Sequence, residues 1–249
     1  MRQKTFLLAI VALGMTCVTA FAQEKKMNSD METDGKSDSS VGMQYVEMGY
    51  SLAMLADRQR SATLMLAAAE LLGGMKQSDG KADFQKETKG DVEGGDHTLH
   101  DMSFGALLDR ALEYADETNR ALVEAQVKKL RSGKGLAWKD GKDFESLVIS
   151  GVTFKILDHD VIEAGQSFTY RGLNFEGGEP AVIGVIGNGG GDIDLWIHDG
   201  GGDQNLITKD TSRSSQCVVE WFPKWDGPFI ASIENVGKRA EEYMIIANW

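Results

Sequence analysis

The 249-residue chain carries 38 acidic against 26 basic residues, a formal net charge of −12, with 42% hydrophobic residues and only 3 prolines. A surface this acidic repels nucleic acid and anionic membrane, both of which are bound through basic patches. The apolar share is ordinary for a folded chain and leaves room for a sizeable core.

The chain opens on Met1-Arg2-Gln3-Lys4, then an apolar run from Phe6 to Leu13, and reaches Ala20-Phe21-Ala22. A charged start, a short apolar stretch and small residues at the −1 and −3 positions predict a secretory signal over 1–22, cleaved after Ala22. A membrane-spanning helix would need about 20 apolar residues, which no segment supplies. Cys17 is a weak candidate for a lipidated cysteine, because Gly14-Met15-Thr16 before it departs from the usual lipoprotein pattern. Loss of Arg2 and Lys4 with the signal takes the net charge to −14. It also leaves Cys217 as a single cysteine, unable to form an internal disulfide in an oxidising compartment. Alternation with Val219 and Trp221 predicts a buried, unreactive thiol.

Residues 23–41 are polar and charged and read as a flexible leader. A helical unit follows over 42–132. Its first run places Tyr45, Met48, Leu52, Leu55, Ala62, Leu66, Ala69 and Leu72 on one face, broken near Arg58-Gln59-Arg60, with Ser61 as N-cap of a second helix and Gly73-Gly74 as its stop. Met43, Met48, Met54, Met65, Met75 and Met102 recur at helical spacing and read as adaptable core filling. Residues 76–98, rich in Gly, Asp, Lys and Glu, read as an exposed loop. A further run from His100 to Arg131 sets Phe104, Leu108, Ala111, Ala115, Thr118 and Leu122 on one face, with basic residues at its C-terminal end. The unit is therefore expected as a helical hairpin or three-helix bundle.

A linker at 133–147 leads to a change of character over 148–249. Short runs rich in branched and aromatic residues (168–170, 181–186, 193–197, 217–222, 229–233, 243–247) are punctuated by Gly, Asp, Asn and Pro. The fold class is α+β in two parts: a helical unit followed by an antiparallel β-sandwich, jelly-roll-like.

Gly191-Asp192-Ile193-Asp194-Leu195-Trp196-Ile197, the turn segment Trp225-Asp226-Gly227-Pro228-Phe229 and the hairpin Asn235-Val236-Gly237 carry a family likeness. Over about residues 150–248 the chain resembles the bacterial pre-peptidase C-terminal domain. That resemblance implies an accessory, substrate-binding or secretion-related module of exported proteins. The helical unit resembles no family in the same way.

Catalytic signatures are sparse. No G-x-S-x-G elbow or H-E-x-x-H occurs, and His97-Thr98-Leu99-His100 offers two imidazoles without an obvious third ligand. Five aspartates, Asp192, Asp194, Asp199, Asp203 and Asp210, are interleaved with two triple-glycine runs. Oxygen ligands on a bendable backbone suit calcium, with Asp192, Asp194, Asp199 and Asp203 as ligands. The same residues are also what turns require. On a strand over 193–198, Asp194, Trp196 and His198 share the face opposite Ile193, Leu195 and Ile197, which makes Trp196 and His198 candidates for ligand contact, with Trp225 in a nearby loop.

The composite expectation is a periplasmic or extracellular, non-catalytic binding module whose sandwich recognises an envelope protein or glycan. The rival classes are a hydrolase, or its accessory domain, whose active groups meet only in the fold, and a structural envelope protein.

Overall fold

The structure is a computed structural model that describes residues 28–29, 37–73, 76–77, 84–90, 99–132, 147–149, 152–201 and 205–248. The signal segment, most of the leader, most of the linker, His97 and Asp203 lie outside the described residues.

Four helices come from the N-terminal part: α1 (Asp38–Gln59), α2 (Ala62–Leu72), α3 (Phe104–Tyr114) and α4 (Arg120–Arg131). Between α2 and α3 lie two short strands, β1 (Lys76–Gln77) and β2 (Gln85–Lys89). Nine strands follow α4: β3 (Leu147–Ile149), β4 (Val152–Ile162), β5 (Ser167–Phe175), β6 (Ala181–Gly187), β7 (Ile193–Asp199), β8 (Leu206–Asp210), β9 (Gln216–Trp221), β10 (Gly227–Asn235) and β11 (Glu241–Ala247). The helical part and the antiparallel sandwich are both present as the sequence predicts. The segment expected as loop 76–98 instead contributes a strand to each sheet.

The first sheet runs β1-β4-β11-β6-β9, with β3 also on β4, and the second runs β2-β5-β10-β7-β8. All pairings are antiparallel except β1 with β4. The space between the sheets is filled by one apolar cluster, including Tyr170, Leu173, Ile183, Val185, Leu195, Ile197, Phe229, Ile233, Tyr243 and Ile245. Trp221 packs edge-on against Phe175 and Phe229, at 4.9 and 5.3 Å between ring centres.

A second cluster joins the helices to the outer face of the first sheet. Phe154, Val182, Ile186, Met244 and Ile246 pack with Met43, Val46, Tyr50, Met65, Leu107 and Leu108. Along β6, alternate residues therefore face the sandwich (Ala181, Ile183, Val185) and the helices (Val182, Ile186). The sequence suggests two modules joined by a linker, but the described residues share a core across that boundary. The order of layers is helices, first sheet, second sheet.

The helix faces differ from the sequence expectation in register. Met43, Val46, Tyr50, Ala53 and Ala56 are buried in α1, whereas Tyr45, Met48 and Leu55 are 44%, 53% and 38% exposed. Small residues decide this. A Cβ at Gly49 would stand 2.6 Å from the Leu72 side chain, so α1 and α2 approach along the Gly and Ala face rather than the bulky one. The run expected as one helix from His100 to Arg131 is interrupted at Asp116-Glu117-Thr118-Asn119. There the Asp116 carboxylate accepts from Thr118 N, Thr118 Oγ1 and Asn119 N at 2.8, 2.6 and 3.1 Å, a turn that competes with the helix. The break rotates α4 so that Val123, Val127 and Leu130 are buried and Leu122 is 72% exposed. Of the methionines, Met43, Met54, Met65 and Met102 are core residues, Met48 is not, and Met75 lies outside the described residues.

Candidate functional site

The helical layer covers only the first sheet. On the second sheet, pairing register arranges the outward side chains in rows. Trp196 of β7 lies between Lys209 of β8 and Ser232 of β10, and the row continues through Thr169 of β5 to Glu87 of β2. On one side of it runs His198, Ile230, Arg171 and Gln85, and on the other Asp194, Glu234, Ser167 and Lys89. Trp196 and His198 are half-buried, on the face opposite the buried Ile193, Leu195 and Ile197, as alternation requires. Thr169 and Ser232 hydroxyls are 3.4 Å apart, and Arg171 Nε pairs with Glu87 Oε1 at 3.1 Å. The result is an indole set among hydroxyls and charges of both signs, a surface able to stack on an apolar ring face and bond to the polar groups at its edge.

Trp225 sits at the end of the sandwich, in the β9–β10 loop, 44% exposed. Its position depends on the leader. Asn28 is 1% exposed; its Oδ1 accepts from Lys224 N and Trp225 N at 2.9 and 3.1 Å, and its Nδ2 donates to Trp225 O at 3.0 Å. Asn28 N also donates to Asp199 Oδ2 at 3.2 Å. The segment expected to be a flexible leader is thus anchored at Asn28, because that amide supplies partners for loop backbone groups that would otherwise be orphaned.

The aspartates of 192–210 are dispersed. Asp199 holds Asn28 N and Gly201 N, and Asp210 accepts from Ser212 N and Val218 N. Asp192 and Asp194 stay close: burial, then Asp192, Glu234 and Asp210, push the Asp194 carboxyl up. Asp203 is outside the described residues. Among the described residues, no three His, Cys, Asp or Glu side chains are grouped to hold a metal. The first glycine run has a different role. Gly189 N and Gly190 N donate to the fully buried Glu241 carboxylate at 2.7 and 3.2 Å, and Gly189 sits at φ 84°, where a side chain is strained. A Cβ at Gly187 would lie 2.6 Å from Glu241 Oε1.

One cluster has no counterpart in the sequence reading. Glu242, at the helix-facing side of β11, accepts from His100 N at 2.6 Å and lies 2.6 Å from His100 Nδ1 and 2.8 Å from His159 Nε2. Burial alone would push this carboxyl up, but the bonds from His159 and then His100 outweigh it and hold it at about 2. Beside it a cleft of about 360 Å³ is lined by Tyr50, His100, Asp101, Ser103 and His159. In that lining Ser103 Oγ accepts from Ala106 N at 3.3 Å as the cap of α3. The available sequence signal was Glu241-Glu242 opening a wholly apolar strand, two acids that must find partners once that strand is buried. Cys217 is buried, as expected from its alternation. Its thiol donates to Ile193 O at 2.7 Å, and desolvation, then Asp210 and Asp194, push it up.

No family model matches the sequence, and no curated protein does. Solved structures that match part of the chain include the C-terminal CBM6 of LamC, a marine laminarinase from Zobellia galactanivorans, at 15% identity over 34% of this chain and 74% of that one, TM-score 0.24. Another is the carbohydrate-binding module CBM6cm-2 of Cellvibrio mixtus lichenase 5A, in complex with cellotriose, at 12% identity over 37% of this chain and 86% of that one, TM-score 0.25. Overlap at that level carries nothing about sites. Two of the segments singled out in the sequence meet in the structure: Val236 N and Gly237 N both donate to Asp192 O, at 2.8 and 3.2 Å.

Proposed function

We propose that the chain is an exported, non-catalytic binding module that takes a glycan on the outer face of its second sheet, centred on Trp196. One observation carries this reading: the helices bury the outer face of the first sheet, while the second presents a half-buried tryptophan in the middle of polar rows. A sheet face that served only to close a core would not need an indole there, since tryptophan is expensive to leave in contact with water. Export is supported by the Met1–Ala22 pattern, and the accessory role by the pre-peptidase C-terminal motifs. No helix among the described residues is long and apolar enough to cross a membrane.

The experiment is titration of the purified protein with a panel of soluble oligosaccharides, cellotriose among them, followed by calorimetry and tryptophan fluorescence. Trp196→Ala is expected to weaken binding by at least about tenfold, ~1.4 kcal/mol. Val236→Ala, an exposed apolar residue in the β10–β11 hairpin, should leave it unchanged. Equal affinity in wild type and Trp196→Ala overturns the assignment of the face, and failure of the whole panel overturns the glycan.

A further inference from the structure

Strand β2 is held by unusual means. It is an edge strand with no apolar residue, Gln85, Glu87, Thr88 and Lys89 are exposed, and only Lys86 turns inward. Lys86 crosses the open edge of the sandwich from the second sheet to the first, where β4 offers Asp158 and Asp160 on one face. Its Nζ is 2.6 Å from Asp158 Oδ2 and 2.6 Å from Asp160 Oδ2. The side chains of Lys86 and Asp158 are 24% and 23% exposed, and the Phe168 ring centre lies 4.1 Å from Nζ. The same Asp158 oxygen accepts from the Tyr170 hydroxyl at 2.8 Å, and the Tyr243 hydroxyl stands 3.3 Å from it.

We propose that Lys86 and Asp158 condense to an intramolecular amide that staples the two sheets at this edge, with Asp160 carrying the proton. An amine beside a carboxyl needs three things to become an amide: loss of the ammonium charge, stabilisation of the tetrahedral oxygen, and a proton for the departing hydroxyl. Each has a residue. In the attacking form the amine has given up one ammonium proton and the Asp158 carboxyl carries it on Oδ1, which leaves Oδ2 to the phenols. Nζ attacks Asp158 Cγ, charge develops on Oδ2, which the phenol groups of Tyr170 and Tyr243 face, and Oδ1 is the hydroxyl that departs. Burial pushes both phenols up, so both keep their protons, one of them shared in the 2.5 Å contact between the two hydroxyls. Asp160 takes the second proton from nitrogen and delivers it to the hydroxyl of the former carboxyl. The C–O bond breaks, one water leaves, and Asp160 returns to its starting form. No oxidant, reductant or other co-reactant is needed.

The measurement is the intact mass of the full chain, folded, then denatured and reduced. Wild type is expected to weigh one water less than its sequence, and its protease digest to contain the Lys86 peptide joined to the Asp158 peptide. Lys86→Arg keeps the ion pairs, cannot close the bond as drawn, and should show its full sequence mass. Asp158→Asn should lose one ammonia in place of water, and Asp160→Asn should slow closure after refolding. A wild-type mass equal to its sequence overturns the staple. So does a water loss that persists in Lys86→Arg, which would report an aspartyl succinimide.

Discussion

Glu242 shows how one side chain ties two layers together. The His100 main chain and ring reach it from the segment before α3, and His159 reaches it from β4, so a 6%-exposed carboxylate joins helices to sheet. Its carboxyl sits at about 2 in the folded chain against an ordinary 4.5. A depressed folded value means stability that is fully present above the unfolded value and is lost as pH falls through the folded one. Glu242→Gln is therefore expected to lower stability at neutral pH by up to about 3 kcal/mol. Wild type and variant should converge as pH drops from 4.5 toward 2, followed by urea midpoints across that range. Parallel curves would show that the carboxylate charge is not what holds His100 and His159.

At the scale of elements, one helix start was legible, that of α2, whereas the run read from residue 42 begins at Asp38 and the run read from His100 begins at Phe104. Ser61 at the α1–α2 junction is the N-cap the sequence indicates, its Oγ accepting from Leu64 N at 3.4 Å, while Arg60 before it takes a left-handed turn at φ 48°. Ser61→Ala is expected to cost about 1 kcal/mol, read as a fall in thermal midpoint without loss of helix signal. Helix faces were less legible. Reading bulk as burial selected Tyr45, Met48 and Leu55, whereas close packing at Gly49, Ala53 and Ala56 selects the other side. The break between α3 and α4 was written in Asp116 and Asn119, residues that bond to local backbone more readily than they sustain a helix. Strand β4 is not marked by local pattern, because charged Lys155, Asp158 and Asp160 interrupt the branched residues of Val152–Ile162. Asp158 and Asp160 meet Lys86 only because the sandwich brings β2 across from the other sheet.

For the whole molecule the question is whether the sandwich stands alone. Without the helices, Phe154, Val182, Ile186, Met244 and Ile246 would meet water as one apolar surface. A fragment of residues 145–249 is accordingly expected to associate or to unfold without a cooperative transition, while the full chain unfolds cooperatively; size-exclusion chromatography and circular dichroism distinguish the two. A monomeric fragment with a sharp transition would show that the helical layer is dispensable. The strand patterns carry the same information. β6 and β11 are apolar nearly throughout and buried on every residue, as a strand covered on both faces must be, whereas β7 alternates because only one of its faces is covered by protein.

The sequence by itself determined that a helical part precedes an antiparallel sandwich, the cap at Ser61, the burial of Cys217 and the two faces of β7, because each follows from local periodicity or from one residue's backbone preference. Only the tertiary structure decided which sheet the helices cover, that Asn28 holds the Trp225 loop, and that Glu242 meets His100 and His159. It alone brought Lys86 to Asp158. These contacts join residues 72 to 197 positions apart in the chain. Their partners are selected by sheet register and layer packing, which no local pattern encodes.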